Sequence, residues 1–125
     1  MTLLDFFILS IPIITASTAQ ILFKKGISSL GKLSLSGSDL WRLILGVFQD
    51  KWLFSGMILF VISFVFYLVV LSKFDLNFAY PVMVSVGIIF VAIASWFLFG
   101  EKLSLPQILG MVLIIFGIFL LVPKS

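Results

Sequence analysis

The chain has 125 residues, of which 62% are hydrophobic and only 10% charged, far outside the range of soluble globular domains. It contains no cysteine and no histidine, which excludes disulfides, thiolate nucleophiles and Cys- or His-ligated metals, and with them most familiar enzyme chemistry. Its net charge of +3 comes from eight scattered basic residues, without the stripe or cluster that a nucleic-acid surface needs.

A helix in lipid must satisfy its own backbone and needs about 20 apolar residues to cross. Four such runs are predicted. The opening Met1-Thr2-Leu3-Leu4-Asp5 lacks the basic region of a signal peptide, and the apolar stretch after it is too long for one, so it is expected to stay in the mature protein. The first span covers residues 6–23 and is closed by Lys24, Lys25 and Gly26, with Pro12 bending it. The loop 26–51 begins with a turn-like stretch. A short interfacial helix follows over 38–49, although Leu40, Trp41, Leu43, Leu45 and Val47 do not suggest a clean amphipathic pattern. The second span, 53–72, is the most apolar. The third, 78–99, is capped by Asn77 and followed by a tight turn that Gly100 and Glu101 organise. The fourth, 105–122, starts with a capping box of Ser104 and Gln107, holds Pro106 in its first turn, and ends at Pro123 and Lys124. The expected fold is thus an all-α membrane protein, one domain over residues 1–125, with four transmembrane helices and a short interfacial helix in the first loop.

Polar groups inside a span are costly and mark candidate pathways. At about 100° per residue, Ser10, Ser17, Gln20 and Lys24 share a sector of about 80°, a polar stripe running toward the first loop. Each hydroxyl has a second reading, a bond back to its own helix, and Lys24 can simply snorkel. Gln20 is different, because its amide has more donors and acceptors than its helix can satisfy. Tyr80 shares a face with the small Gly87, Val91 and Ala94, and reads either as a substrate contact or as an interfacial anchor. Gly110 and Gly117 lie about 20° from superposition, and with Ile114 and Leu121 they form a smooth stripe for a helix contact, within the chain or in a dimer. No span carries a carboxylate at its middle and no phosphate-binding glycine loop is present, so neither proton exchange at membrane depth nor ATP use is indicated. No catalytic residue, metal or cofactor is expected.

Three stretches carry a resemblance: Ala19-Gln20-Ile21-Leu22-Phe23-Lys24-Lys25, Leu76-Asn77-Phe78-Ala79-Tyr80-Pro81, and Phe99-Gly100-Glu101-Lys102-Leu103-Ser104 with Gly110 and Gly117. Together they resemble the drug/metabolite transporter superfamily over nearly the whole chain. Most members have two such repeats, and this chain has one, like the small multidrug resistance exporters and the flippase subunits of the ArnE and ArnF type. The exporters carry a membrane-embedded Glu where this chain has Ala16, and a Trp where it has Met83. The flippase subunits share the Ala-Gln start, the Ala-Tyr-Pro motif and the longer first loop. This resemblance implies a carrier of a polyprenyl-phosphate-linked sugar in the inner (plasma) membrane, working as a homodimer or a paired heterodimer. Lys24, Lys25 and Arg42 would then face the lipid phosphate, and Ser17, Gln20 and Tyr80 the sugar hydroxyls. Lys25 and Arg42 also suit ordinary anionic lipid. A small-molecule exporter and a non-transporting membrane partner of a glycosyltransferase are the alternatives.

Lys24, Lys25, Lys32, Arg42 and Lys51 lie in the first loop and Lys102 in the third, against Lys73 and Lys124 on the other side. The positive-inside rule puts those two loops in the cytoplasm and both termini outside. A C-terminal alkaline phosphatase fusion is expected to be active and a C-terminal green fluorescent fusion dark, and the reverse result overturns this orientation.

Overall fold

A computed structural model describes residues 3–121, all of whose regular structure is helical. The helices are α1 (Leu3–Leu30), α2 (Gly37–Gln49), α3 (Lys51–Lys73), α4 (Leu76–Phe99) and α5 (Leu105–Leu121). α1, α3 and α4 are long and apolar enough to cross a bilayer, and α5 is apolar but shorter at 17 residues. The predicted stop of the last span at Val122, Pro123 and Lys124 lies outside the described residues.

Local chemistry sets the boundaries. α1 does not close at Lys24–Gly26 as predicted but continues to Leu30, because Gly26 is used for packing rather than termination. The helix stops before Gly31, whose φ of 76° is a left-handed conformation that costs glycine little. The Asp50 carboxylate accepts hydrogen bonds from the Trp52 and Leu53 amides, closing α2 and opening α3 with one residue. Asp75 occupies the cap position of α4, so Asn77 lies inside the first turn instead of capping it. Gly100, with φ 66°, ends α4. The capping box of α5 is present: Ser104 donates its amide to Gln107 Oε1 at 2.8 Å, and the Gln107 amide reaches Ser104 Oγ at 3.4 Å.

α1 is the central element. α3 runs antiparallel to it along most of its length, α4 lies parallel on another side, and α3 and α4 scarcely meet. The α1–α3 seam is close because small residues line it. A Cβ on Gly26 would come within 2.5 Å of Leu53 Cγ, and one on Gly56 within 2.9 Å of the Phe23 ring. Midway, the Ser63 hydroxyl donates to the Pro12 carbonyl at 3.0 Å. At the far end Leu9 of α1, Val70 of α3 and Phe78, Ala79 and Val82 of α4 form the buried core, with Ile118 of α5 against it. α5 buries no residue fully and rests on α4. Most large apolar side chains of α3 point outward, as lipid permits and water would not.

Replacing Gly56 by Leu overpacks the seam and is expected to cost about 1–3 kcal/mol. A lower thermal midpoint for Gly56→Leu in lipid or detergent checks this, and an unchanged midpoint contradicts the seam.

Candidate functional site

Because α3 and α4 both pack on α1 but scarcely meet each other, a cavity of about 760 Å³ opens between the three helices. α1 contributes Pro12, Ala16, Ser17 and Gln20 to its wall, α3 contributes Phe60, Ser63, Phe64 and Tyr67, and α4 contributes Tyr80, Gly87, Val91 and Ser95. Glu101, Lys102 and Gln107 form its edge where the α4–α5 turn crosses. The wall is largely apolar, with scattered hydroxyls and one amide. No His, Cys, Asp or Glu cluster among the described residues could hold a metal.

The polar residues of α1, those of the stripe together with Thr15 and Thr18 outside it, divide according to partners. Ser10, Thr15 and Thr18 donate to the carbonyls of Phe7, Ile11 and Ile14, the local bonding that removes a hydroxyl from function. Ser17 instead faces Gly87 across the helix contact, where a Cβ would sit 3.4 Å from its Oγ. Ser17 and Gln20 line the cavity, and so does Tyr80, which is 55% exposed. Gly87 and Val91 line it too, whereas Ala92 and Ser95 rather than Ala94 continue that wall. Lys24 lies at the rim, with its Nζ 3.8 Å from Glu101 Oε1. Glu101 therefore pairs with α1 in addition to occupying the turn.

Lys25 and Arg42 are not brought to the cavity. The Lys25 ammonium sits 4.0 Å above the Trp52 ring. Arg42 donates to Asp39 Oδ1 at 3.1 Å and to the Leu30 carbonyl at 3.0 Å, so it caps the end of α1. Gly110 and Ile114 line a hollow of about 230 Å³ beside Ile88 and Ala92 of α4. A Cβ on Gly110 or Gly117 would meet nothing within 4 Å, and Leu121 is 39% exposed. Sequence reasoning missed Ser63, Tyr67 and Ser95. Ser63 and Tyr67, four apart in the most apolar span, were the available signal.

The comparisons with known proteins bear on this architecture. A family profile for the Small Multidrug Resistance protein matches residues 40–114, from α2 into α5. The chain belongs to the small multidrug resistance family. It is 34% identical over 113 residues to a probable 4-amino-4-deoxy-L-arabinose-phosphoundecaprenol flippase subunit, ArnF, of Proteus mirabilis, covering 87% of this chain and 84% of the relative. It is 36% identical over 86 residues to the multidrug resistance protein EbrB of Bacillus subtilis, covering 68% and 73%. The probable flippase subunit ArnE of Photorhabdus laumondii is 37% identical over 71 residues, 57% and 62% of the two chains. No solved structure matches the chain. As a member of this family with several membrane-length helices, the chain is a multi-pass transporter of the inner (plasma) membrane. The profile leaves out α1, the helix that carries Ala16, Ser17 and Gln20 into the cavity.

Outside the spans, the Asp39 carboxyl is held below the usual carboxylate range by hydrogen bonds from the Ser34 amide and hydroxyl, and to a lesser degree by Arg42. A depressed carboxyl stabilises the loop above its ordinary pKa of about 3.9 and loses that effect only as pH falls through its lower folded value. In labelled protein the Ser34 amide resonance should titrate with a midpoint below about 3.9, and a midpoint at or above that value contradicts the contact.

Proposed function

We propose that this transporter is a flippase-type carrier of a polyprenyl-phosphate-linked sugar, acting by alternating access of two chains and without covalent chemistry. The observation that carries the reading is the cavity wall. It offers neutral hydrogen-bonding groups to sugar hydroxyls: Ser17, Gln20, Ser63, Tyr67, Tyr80 and Ser95. Its rim carries Lys24 and Lys102, cations near the depth of a lipid phosphate. Ala16 stands in the wall where the resembling drug exporters carry a carboxylate, which removes the group that would exchange a proton for a cationic drug. The names of the ArnF and ArnE relatives support the same substrate class.

In this reading residues 1–125 form one domain. α5 is the fourth span, α2 lies at the membrane interface, and the stripe of Gly110, Ile114, Gly117 and Leu121 meets a second chain. That chain is either a copy of this one or a paired sibling. The exposed Lys24–Glu101 pair closes one end of the cavity in one state and breaks in the other. Exposed ion pairs are worth only about 0–1 kcal/mol, weak enough to yield once per cycle.

A multidrug-type exporter is the second reading, favoured by the EbrB relative and by the aromatic wall of Phe60, Phe64, Tyr67 and Tyr80, which suits a lipophilic cation. Liposomes holding only this chain decide between them. Flipping of a labelled polyprenyl-phosphate sugar supports the first, and uptake of a quaternary cation the second. Transport of neither, in the presence of a candidate sibling chain, fits a non-transporting partner of a glycosyltransferase. Gln20→Leu, with an unchanged thermal midpoint, should slow flipping about tenfold through loss of one hydrogen bond to the sugar. Unchanged flux overturns the role of the α1 stripe.

A further inference from the structure

α2 is amphipathic, contrary to the pattern expected for it, and it leaves its apolar arc exposed, unlike a helix on a soluble protein. Around its axis Leu40, Trp41, Ile44 and Phe48 fall on one side, and Ser38, Asp39, Arg42 and Gln49 on the other. The helix meets the rest of the chain between these two sides, where Gly46 is buried against Leu30 and Leu53 and Arg42, itself exposed, donates to the Leu30 carbonyl. The apolar side faces away, with Trp41 61% and Phe48 72% exposed. In water that arrangement would be unfavourable, whereas against acyl chains it is stable.

Charge decides which bilayer surface fits. Residues 24–51 hold five basic side chains, Lys24, Lys25, Lys32, Arg42 and Lys51, against two acidic ones, Asp39 and Asp50. Where α1, α2 and α3 converge, two ammonium groups approach one indole: Lys25 Nζ is 4.0 Å and Lys51 Nζ 5.4 Å from the Trp52 ring centroid. Asp50 beside them has its oxygens committed to the Trp52 and Leu53 amides and the Ser29 hydroxyl. Two like charges on one aromatic platform repel, and a phosphate between them relieves that repulsion.

We propose that α2 and the Lys25–Lys51 pair form a docking face for anionic phospholipid, separate from the transport cavity. The apolar arc of α2 lies at the acyl boundary, and the two lysines hold a headgroup phosphate beside Trp52. Neither Lys25 nor Lys51 lines the cavity. The proposal rests on the interfacial reading of α2, so two measurements on the full chain separate the two.

First, Trp52→Phe and Trp96→Phe together leave Trp41 as the sole tryptophan. In bilayers of acyl-brominated lipid its emission should fall by half or more while acrylamide quenches it little. Emission insensitive to brominated lipid overturns the interfacial placement and the docking face with it. Second, native mass spectrometry from mixed phosphatidylglycerol and phosphatidylcholine should find phosphatidylglycerol retained several-fold over its share. Lys25→Gln with Lys51→Gln should abolish that enrichment, and Lys73→Gln on the opposite side should keep it. Quenched Trp41 with no enrichment, or with enrichment that survives the double substitution, overturns the lysine site while leaving the interfacial helix standing.

Discussion

The close approach of α1 and α3 is the constraint on which the rest of the molecule depends. Helices in lipid gain nothing from hiding apolar surface, so they associate through tight van der Waals packing and an occasional hydrogen bond. This seam uses both: Gly26 lets Leu53 in, Gly56 lets Phe23 in, and between them Ser63 donates to the Pro12 carbonyl. Interhelical hydrogen bonds of this kind average only about 0.6 kcal/mol, so the glycine contacts carry much of the attachment. Pro12 and Ser63 also line the cavity, which puts the hydrogen bond of the seam in the wall of the site.

With α3 committed to one side of α1, α4 can hold α1 on another without meeting α3. Their shared core lies at one end, around Leu9, Val70, Phe78, Ala79 and Val82. Toward the other end α3 and α4 stay apart and the cavity fills the gap between them, with Lys24 and Glu101 paired near its edge. In the proposed alternating-access cycle the shared core is the pivot and the exposed Lys24–Glu101 pair marks the end that opens. The wall holds hydroxyls and an amide, with Glu101 at its edge, and in the proposed reading these groups meet neutral polar partners.

The first loop adds a structure of its own. Asp50 closes one helix and opens the next, Arg42 caps α1, and Asp39 gathers the Ser34 amide and hydroxyl. These contacts fix α2 against the ends of α1 and α3 and leave its tryptophan and phenylalanine outside. The second layer of cations, Lys25 and Lys51, thereby ends up beside Trp52 instead of at the cavity.

The long apolar helices, the helix in the first loop and the capping box of Ser104 and Gln107 were legible in the residues, because hydropathy and cap chemistry are local properties. So was the family, through short motifs at helix ends. Packing decided the remainder. Whether a hydroxyl turns back on its own helix, as Ser10 and Thr18 do, or faces a neighbour, as Ser17 and Ser63 do, depends on which helix lies opposite. The same holds for Lys24 against Lys25, adjacent in sequence and yet pointed at different partners about 100° apart around the helix. Tyr67 and Ser95 joined the site for this reason, and Gly26 became a packing surface instead of a helix end. The sequence determined the helices and their polar stripes; only the tertiary structure decided which stripe became a cavity wall, because a partner's position is not a property of either helix alone.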